Sequence, residues 1–179
     1  MNIENLNSSI LSEFKLFSTG GCYEFKEAKS DKCKVVKIHT SSKSLALILD
    51  KENKKLFNFF DNSNKTLTSI NDGVILINKK DKLIALLLEL KSDNSSGYLQ
   101  QLKSGKNFIE YFINQVKLAT KTSDKKVEYR GILFKTGRVN ASKNTTKRTP
   151  IKYEDRNGLL CVELFCNNEY RLQQFIENI

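Results

Sequence analysis

Apolar side chains recur every three or four positions in several parts of this chain, a spacing typical of amphipathic helices. One such stretch covers 3–18 and stops at the glycine pair at 20–21. A second, longer stretch covers 97–119, where Gly105 marks a point at which the helix could kink. The pattern at 169–179 predicts a closing helix.

Other stretches are rich in β-branched or continuous apolar residues and predict strands. They lie at 34–39, 45–49, 74–78, 83–90, 129–135 and 159–165. The run at 45–49 is too short for its periodicity to decide between helix and strand, and a strand is favoured. The run at 83–88 has no polar face, which is typical of a strand in the middle of a sheet that is covered on both sides.

Length and composition favour one ordinary domain over 1–179 with a complete core. The net charge of +10 favours a polyanionic partner such as nucleic acid. The charge alone raises that expectation only modestly, because 25 of the 30 basic residues are lysines and such a bias also follows from AT-rich coding. No apolar run is long enough to span a bilayer and no signal peptide is evident, so a cytoplasmic protein is the simplest interpretation.

The four cysteines, at 22, 33, 161 and 166, are widely scattered and include no C-x-x-C pair. A zinc site would have to gather distant ligands, since His39 is the only histidine. Buried free thiols in a reducing compartment are therefore expected. Cys161 and Cys166 would face opposite sides of their strand and could not share a metal from it.

A hairpin between the strands at 74–78 and 83–90 would bring three charged side chains together. With a two-residue turn at 80–81, paired residues have numbers that sum to 161, so Asp72 lies opposite Glu89. Opposed residues on antiparallel strands point to the same face, with Cβ atoms about 5 Å apart. Side chains alternate along a strand, which places Lys91 on that face as well. A slip of one residue would move Asp72 to the other face.

These residues suit metal-assisted phosphodiester chemistry. The carboxylates of Asp72 and Glu89 and the backbone carbonyl of Leu90 offer hard oxygen ligands for Mg²⁺ or Mn²⁺. Such a metal activates a water, and Lys91 would orient that water or stabilise the developing charge. An E-x-K triplet also arises by chance. The position at the end of an apolar strand, with an aspartate in matching register, makes the catalytic interpretation the stronger one.

Asp72-Gly73 and Glu89-Leu90-Lys91 resemble the two halves of the motif that defines the PD-(D/E)XK, or restriction-endonuclease-like, nuclease superfamily. Asn71 stands where the proline of that motif would be. The resemblance implies an α/β fold with a restriction-endonuclease-like core. In that core a central mixed β-sheet is flanked by helices in the order αβββαβ, and the C-terminal strand and helix would be an extension.

The resemblance also implies a Mg²⁺-dependent phosphodiesterase that acts on DNA rather than RNA, in defence, restriction or repair. Asp72, Glu89 and Lys91 would be catalytic. Gln101, on the helix after E-x-K, would help the active site or contact the DNA backbone, although a plain surface glutamine is an equally good interpretation. A homodimer or a partner subunit is compatible with this assignment. The alternative is a catalytically inactive module of the same fold that binds nucleic acid or a protein partner in a larger assembly.

Two further groups of residues are candidates. Some members of the family add a glutamate from the first helix; Glu13 is the candidate, with Glu24 and Glu27 as competitors, and a solvated position is the simpler interpretation for each. The segment from 136 to 150 is rich in Ser, Thr, Asn and Lys, which predicts a mobile loop. Its basic residues would follow a nucleic-acid backbone: Arg138, Lys143, Lys147 and Arg148.

Overall fold

The computed structural model of the protein describes residues 2–27, 32–51, 56, 59–61, 63–92, 95–123, 125–137 and 151–177. The helices are α1 (Ile3–Ser8), α2 (Lys65–Thr68) and α3 (Tyr98–Thr120), with 3-10 helices at Ser12–Phe14 and Leu172–Phe175. The strands are β1 (Lys15–Leu16), β2 (Cys22–Lys26), β3 (Val35–His39), β4 (Ser44–Ile48), β5 (Gly73–Lys79), β6 (Lys82–Lys91), β7 (Lys126–Lys135), β8 (Glu154–Arg156), β9 (Leu159–Phe165) and β10 (Glu169–Arg171).

The described strands form a mixed sheet of seven strands and a smaller sheet of three. The large sheet has the order β1-β4-β5-β6-β7-β9-β8, and the small one has the order β10-β3-β2. Strands β4, β5 and β6 are antiparallel neighbours, and β7 returns parallel to β6 after helix α3. The protein is therefore an α/β protein with a large mixed sheet and few helices, as the sequence predicts at this level.

The predicted hairpin register is confirmed. Gly73 pairs with Leu88 and Lys79 pairs with Lys82, so paired numbers sum to 161 over the whole of β5. Lys80 opens the two-residue turn with a φ of 53°, in the left-handed region. Continuing the same register beyond Gly73 places Asp72 opposite Glu89.

Side-chain alternation divides the core between the two faces of the large sheet. One cluster joins α1 and α3 to the odd-numbered residues of β6 and includes Leu83, Ala85 and Leu87. The other cluster lies between the two sheets and includes Leu86 and Leu88. Because the second cluster draws residues from both sheets, it supports the single-domain organisation, which stays a prediction for the whole chain.

Helix α3 approaches the sheet closely at Gly105, where the side chain of Asn71 lies against the helix. Asn71 is fully buried, and its amide nitrogen donates to the backbone oxygens of Gly73 at 2.5 Å and Leu88 at 3.1 Å. A Cβ atom at position 105 would lie 1.6 Å from Oδ1 of Asn71. Gly105 therefore does not interrupt α3, which is continuous, but leaves space for the side chain that precedes Asp72.

Two helix predictions are wrong. The first helix ends at Ser8 rather than 18, because the hydroxyls of Ser8 and Ser9 bond the carbonyl of Asn5 and β1 then pairs with β4. The closing segment is not an α-helix either. Strand β10 pairs in parallel with β3 and a short 3-10 helix follows, so sheet pairing overrides the local helical pattern.

The expectation of four free thiols is also wrong. Cys33 and Cys166 form a disulfide, whereas Cys22 and Cys161 are free. Cys161 belongs to the core cluster on the α3 face and Cys166 to the cluster between the sheets, so they lie on opposite faces as predicted. The disulfide links the segment before β3, in the small sheet, to the residue that follows β9. The two cysteines are 133 residues apart, so the sequence gives no local sign that they pair.

None of the helices in the described ranges has the length and hydrophobicity that crossing a bilayer requires. The cytoplasmic location stays a prediction.

We expect Gly105→Ala to lower the free energy of unfolding by about 2 kcal/mol, since overpacking a tight contact costs about 1–3 kcal/mol. An unobstructed Gly-to-Ala change in a helix would instead stabilise by about 1 kcal/mol. Urea unfolding measures the difference. In an Asn71→Ala background the same change should be neutral or stabilising, and a stabilising effect in the wild type would contradict the contact.

Peptide mapping without reductant should recover a Cys33–Cys166 cross-link and free Cys22 and Cys161. Reduction should lower the free energy of unfolding by about 2–5 kcal/mol, because the bond closes a loop of 133 residues. Cys22→Ser serves as the control and should retain the Cys33–Cys166 cross-link and the same loss of stability on reduction. Alkylation of all four cysteines in unreduced, folded protein would refute the cross-link.

Candidate metal and active site

The candidate site lies at one end of the large sheet, on the face that α3 covers. Asp72 immediately precedes β5, and Glu89 and Lys91 end β6. Glu89 and Lys91 have the same parity as Leu87, which belongs to the cluster on the α3 face, and Asp72 reaches β6 through the hydrogen bond from the Leu90 N–H. The structure therefore brings the three predicted residues together at one end of the sheet.

Glu89 is a buried carboxylate that forms an ion pair with Lys91. The residue is 1% exposed, and its Oε1 lies 2.6 Å from Nζ of Lys91, whose side chain is 24% exposed. Its other oxygen, Oε2, has no hydrogen-bond partner among the described residues. A buried acceptor without a partner is costly, and it marks a place where a ligand is expected.

Asp72 continues the strand pairing with its side chain. Its Oδ2 accepts a hydrogen bond of 2.6 Å from the backbone N–H of Leu90. In a strand, the N–H and C=O of one residue point the same way, so the Leu90 carbonyl also faces Asp72 rather than β7. The predicted oxygen donors of Asp72, Glu89 and Leu90 thus converge.

The two carboxyl groups resist ionisation without a cation. Burial is the main cause that raises the pKa of Glu89, followed by the charge of Asp72, while Lys91 opposes the rise. Burial also raises the pKa of Asp72; the Leu90 N–H opposes it, and Glu27 and Asp50 add to it. A divalent cation between these groups would reverse the balance by favouring both charged forms.

The donor set fits Mg²⁺ or Mn²⁺, which take carboxylate and carbonyl oxygens and keep several waters. The fit rests on the unpartnered Oε2 of Glu89. No group of three or more His, Cys, Asp or Glu side chains in the described part of the chain is arranged to hold a metal. The site therefore offers two carboxylates and one carbonyl rather than a complete protein cage.

Two more acidic residues lie within electrostatic range of Asp72. Asp50 follows β4, at the same end of the sheet, and sequence reasoning missed it. An aspartate directly after an apolar strand is the signal that could have found it, since antiparallel pairing places it next to the start of β5. Glu27, which follows β2, is the other.

The remaining acidic candidates differ in their surroundings. Glu24 lies on the small sheet, where it forms ion pairs with Lys26 at 3.4 Å and Lys37 at 3.8 Å, so it lies outside the site. Glu13 lies in a 3-10 helix rather than in the predicted first helix, and its backbone carbonyl accepts a hydrogen bond from Lys51.

Gln101 lies in the first turn of α3 and supports the segment that leads to Asp72. Its Nε2 donates to the carbonyl of Ile70 at 3.4 Å, and Gln100 similarly reaches the carbonyl of Thr66 at 3.5 Å. Gln101 thus lies near the site, but its observed partner is the backbone and its catalytic role stays a prediction. The basic residues Arg138, Lys143, Lys147 and Arg148 lie outside the described residues.

Comparisons with protein-family models, curated proteins and solved structures found no match to this chain.

The raised carboxyl pKa values predict that stability without metal falls as pH rises. Free carboxyl groups titrate near pH 4 and the folded-state groups titrate higher, so the folded state holds the extra protons between about pH 4 and neutral pH. Mn²⁺ should raise the melting temperature, and by more at pH 8 than at pH 6, because it needs the ionised carboxylates. At 100 times its dissociation constant it should add about 2.7 kcal/mol.

Differential scanning fluorimetry measures both effects, first without Mn²⁺ and then with increasing concentrations of it. Glu89→Gln should remove most of the response to Mn²⁺. Glu24→Gln, at an exposed carboxylate on the small sheet, should retain it. An equal shift by Mn²⁺ in the wild type and in Glu89→Gln would refute the site.

Proposed function

We propose that this protein is a metal-dependent nuclease that hydrolyses DNA, with its active site at Asp72, Glu89 and Lys91. The observation that carries the proposal is the buried Glu89, which pairs with Lys91 through one oxygen and has no described partner for the other. Asp72 lies beside it in the confirmed hairpin register. Buried charged residues are uncommon in an otherwise apolar strand, and carboxyl groups with shifted pKa values cluster at functional sites.

A second E-x-K triplet in the same chain, which is exposed, provides a comparison for the buried one at Glu89. Glu24-Phe25-Lys26 also carries its ion pair on alternate residues of a strand, with the two side chains 42% and 69% exposed. That pair is solvated and has no aspartate on an adjacent strand in register with it. The Glu89 pair differs in burial and in its acidic neighbour, and these two properties create a metal site.

Each residue of the site has a role in the proposed reaction. Asp72, Glu89 and the Leu90 carbonyl would hold Mg²⁺ or Mn²⁺, which supplies an activated water and neutralises charge on the scissile phosphate. Lys91 would donate a hydrogen bond to the attacking water or to the developing negative charge. The hydrogen bond from the Leu90 N–H orients the carboxylate of Asp72. The side-chain amide of Asn71 donates to the carbonyl of Gly73 in β5 and to that of Leu88 in β6, which holds the two strands together beside the site.

The order of elements supports a restriction-endonuclease-like core. Helix α1 precedes three neighbouring antiparallel strands, α3 follows them, and β7 returns parallel to β6 over ten residue pairs. This is the αβββαβ order that the PD-(D/E)XK resemblance implies. Strands β2 and β3 with β10 form an addition that covers the other face.

Glu89→Gln and Lys91→Ala should each reduce cleavage of a labelled DNA substrate in Mg²⁺ or Mn²⁺ by about 10²-fold or more, the usual contribution of a positioned catalytic group. Time courses on gels, with duplex and single-stranded DNA and with RNA in parallel, measure the rate and the substrate class. EDTA should abolish cleavage in the wild type.

Glu24→Gln and Lys26→Ala are matched controls, because they make the same changes in the exposed triplet, and they should cleave like the wild type. Circular dichroism confirms folding of each variant. Metal-dependent cleavage that is unchanged in both Glu89→Gln and Lys91→Ala would exclude this active site. DNA binding without cleavage under any metal would favour the inactive binding module.

A further inference from the structure

A row of side chains extends the candidate site across the sheet, on the same face. In the parallel pairing, Leu133 of β7 lies between Glu89 of β6 and Glu163 of β9. One residue pair further along that face, Lys135 lies beside Lys91. Paired residues in adjacent strands point to the same side, and adjacent strands are about 4.8 Å apart. From Asp72 to Glu163 the row therefore spans three strand spacings, or about 14 Å.

Glu163 holds two cations at the far end of this row. Its carboxylate lies 2.5 Å from Nζ of Lys135 and 2.6 Å from Nη1 of Arg156. Arg156 also donates to the hydroxyl of Tyr98, the first residue of α3. Its Nη2 lies 3.6 Å from a further carboxylate, that of the exposed Glu154. The cations are ordered by these partners and yet remain reachable, since the side chains of Lys135 and Arg156 are 41% and 31% exposed.

The charges at the far end of the row favour an anion with or without a divalent metal at the site. The site end carries Asp72 and Glu89 against Lys91. The far end carries Glu163 against Lys135 and Arg156, with Glu154 at its solvated margin. A divalent cation would offset the charges of Asp72 and Glu89, and at the second end the two positive charges of Lys135 and Arg156 exceed the single negative charge of Glu163. Lysine and arginine fixed in this way are common ligands of phosphate oxygens.

We propose that Lys135 and Arg156 form a second phosphate subsite, which binds the nucleic-acid backbone next to the phosphate at Asp72 and Glu89. The nucleic-acid strand would run across the ends of β5, β6, β7 and β9, a distance of about 14 Å. Glu163 is then a positioning residue that orients both cations. This inference rests on the proposed nuclease function and adds the path of the substrate.

Binding is measured separately from cleavage to test the subsite. A Glu89→Gln background in EDTA removes cleavage but retains both cations, and fluorescence anisotropy follows a labelled 20-base-pair DNA at several salt concentrations. Adding Lys135→Gln and Arg156→Gln should weaken binding at least about fivefold and reduce the slope of log Kd against log salt by about 1.8, or about 0.9 per phosphate contact.

Lys126→Gln is the matched control, because Lys126 lies at the opposite end of the same strand, β7, and its side chain is 72% exposed. It should leave the affinity and the slope close to those of the background. If the double variant does not fold, Lys135→Gln alone should reduce the slope by about 0.9. An unchanged affinity and slope in the folded variant would overturn the subsite, even where the wild type cleaves DNA. Weakened binding with no cleavage by the wild type would instead retain the subsite and reject the nuclease.

Discussion

The hydrogen bond from the Leu90 N–H to the carboxylate of Asp72 sets the geometry on which the site depends. Backbone pairing between β5 and β6 ends at Gly73 and Leu88. Beyond that pair, side chains before β5 form hydrogen bonds with the backbone of β6. The amide of Asn71 satisfies the Leu88 carbonyl, and Asp72 satisfies the Leu90 N–H. Glu89 lies between these two anchored residues, so its carboxylate is held in the register that also brings Asp72 beside it.

Helix α3 completes this arrangement because its backbone can approach the sheet. Any side chain at 105 would collide with Asn71, and Gln101 bonds the carbonyl of Ile70 one turn earlier along the helix. The helix packs on the face of the sheet to which Glu89 belongs, and burial there lowers the polarity around its carboxylate. That low polarity raises the carboxyl pKa values and, for the same physical reason, increases the affinity for a divalent cation.

Local rules predicted the parts of the site that lie close together in the sequence. A two-residue turn and the alternation of side chains were enough to place Asp72 opposite Glu89, since every intermediate step is fixed by the pleat. Glu163 and Arg156 could not be placed in that way, because β8 and β9 follow β7 after a long connection, and no local pattern determines where they join the sheet. The Cys33–Cys166 bond was missed for the same reason, and β10 was mistaken for a helix because its partner strand is more than 100 residues away.

The burial of Glu89 favours the proposed active site over the inactive binding module. A buried ion pair contributes little to stability and can often be replaced by apolar residues with no loss. Six consecutive apolar residues precede Glu89 in β6, so an apolar residue at 89 would continue the pattern without strain. A module that only bound DNA would need exposed cations, such as Lys135 and Arg156, but not a desolvated carboxylate beside a second one. The site carries both features, as the proposed nuclease requires: cations that would bind a phosphate backbone and a carboxylate pair that would hold the metal.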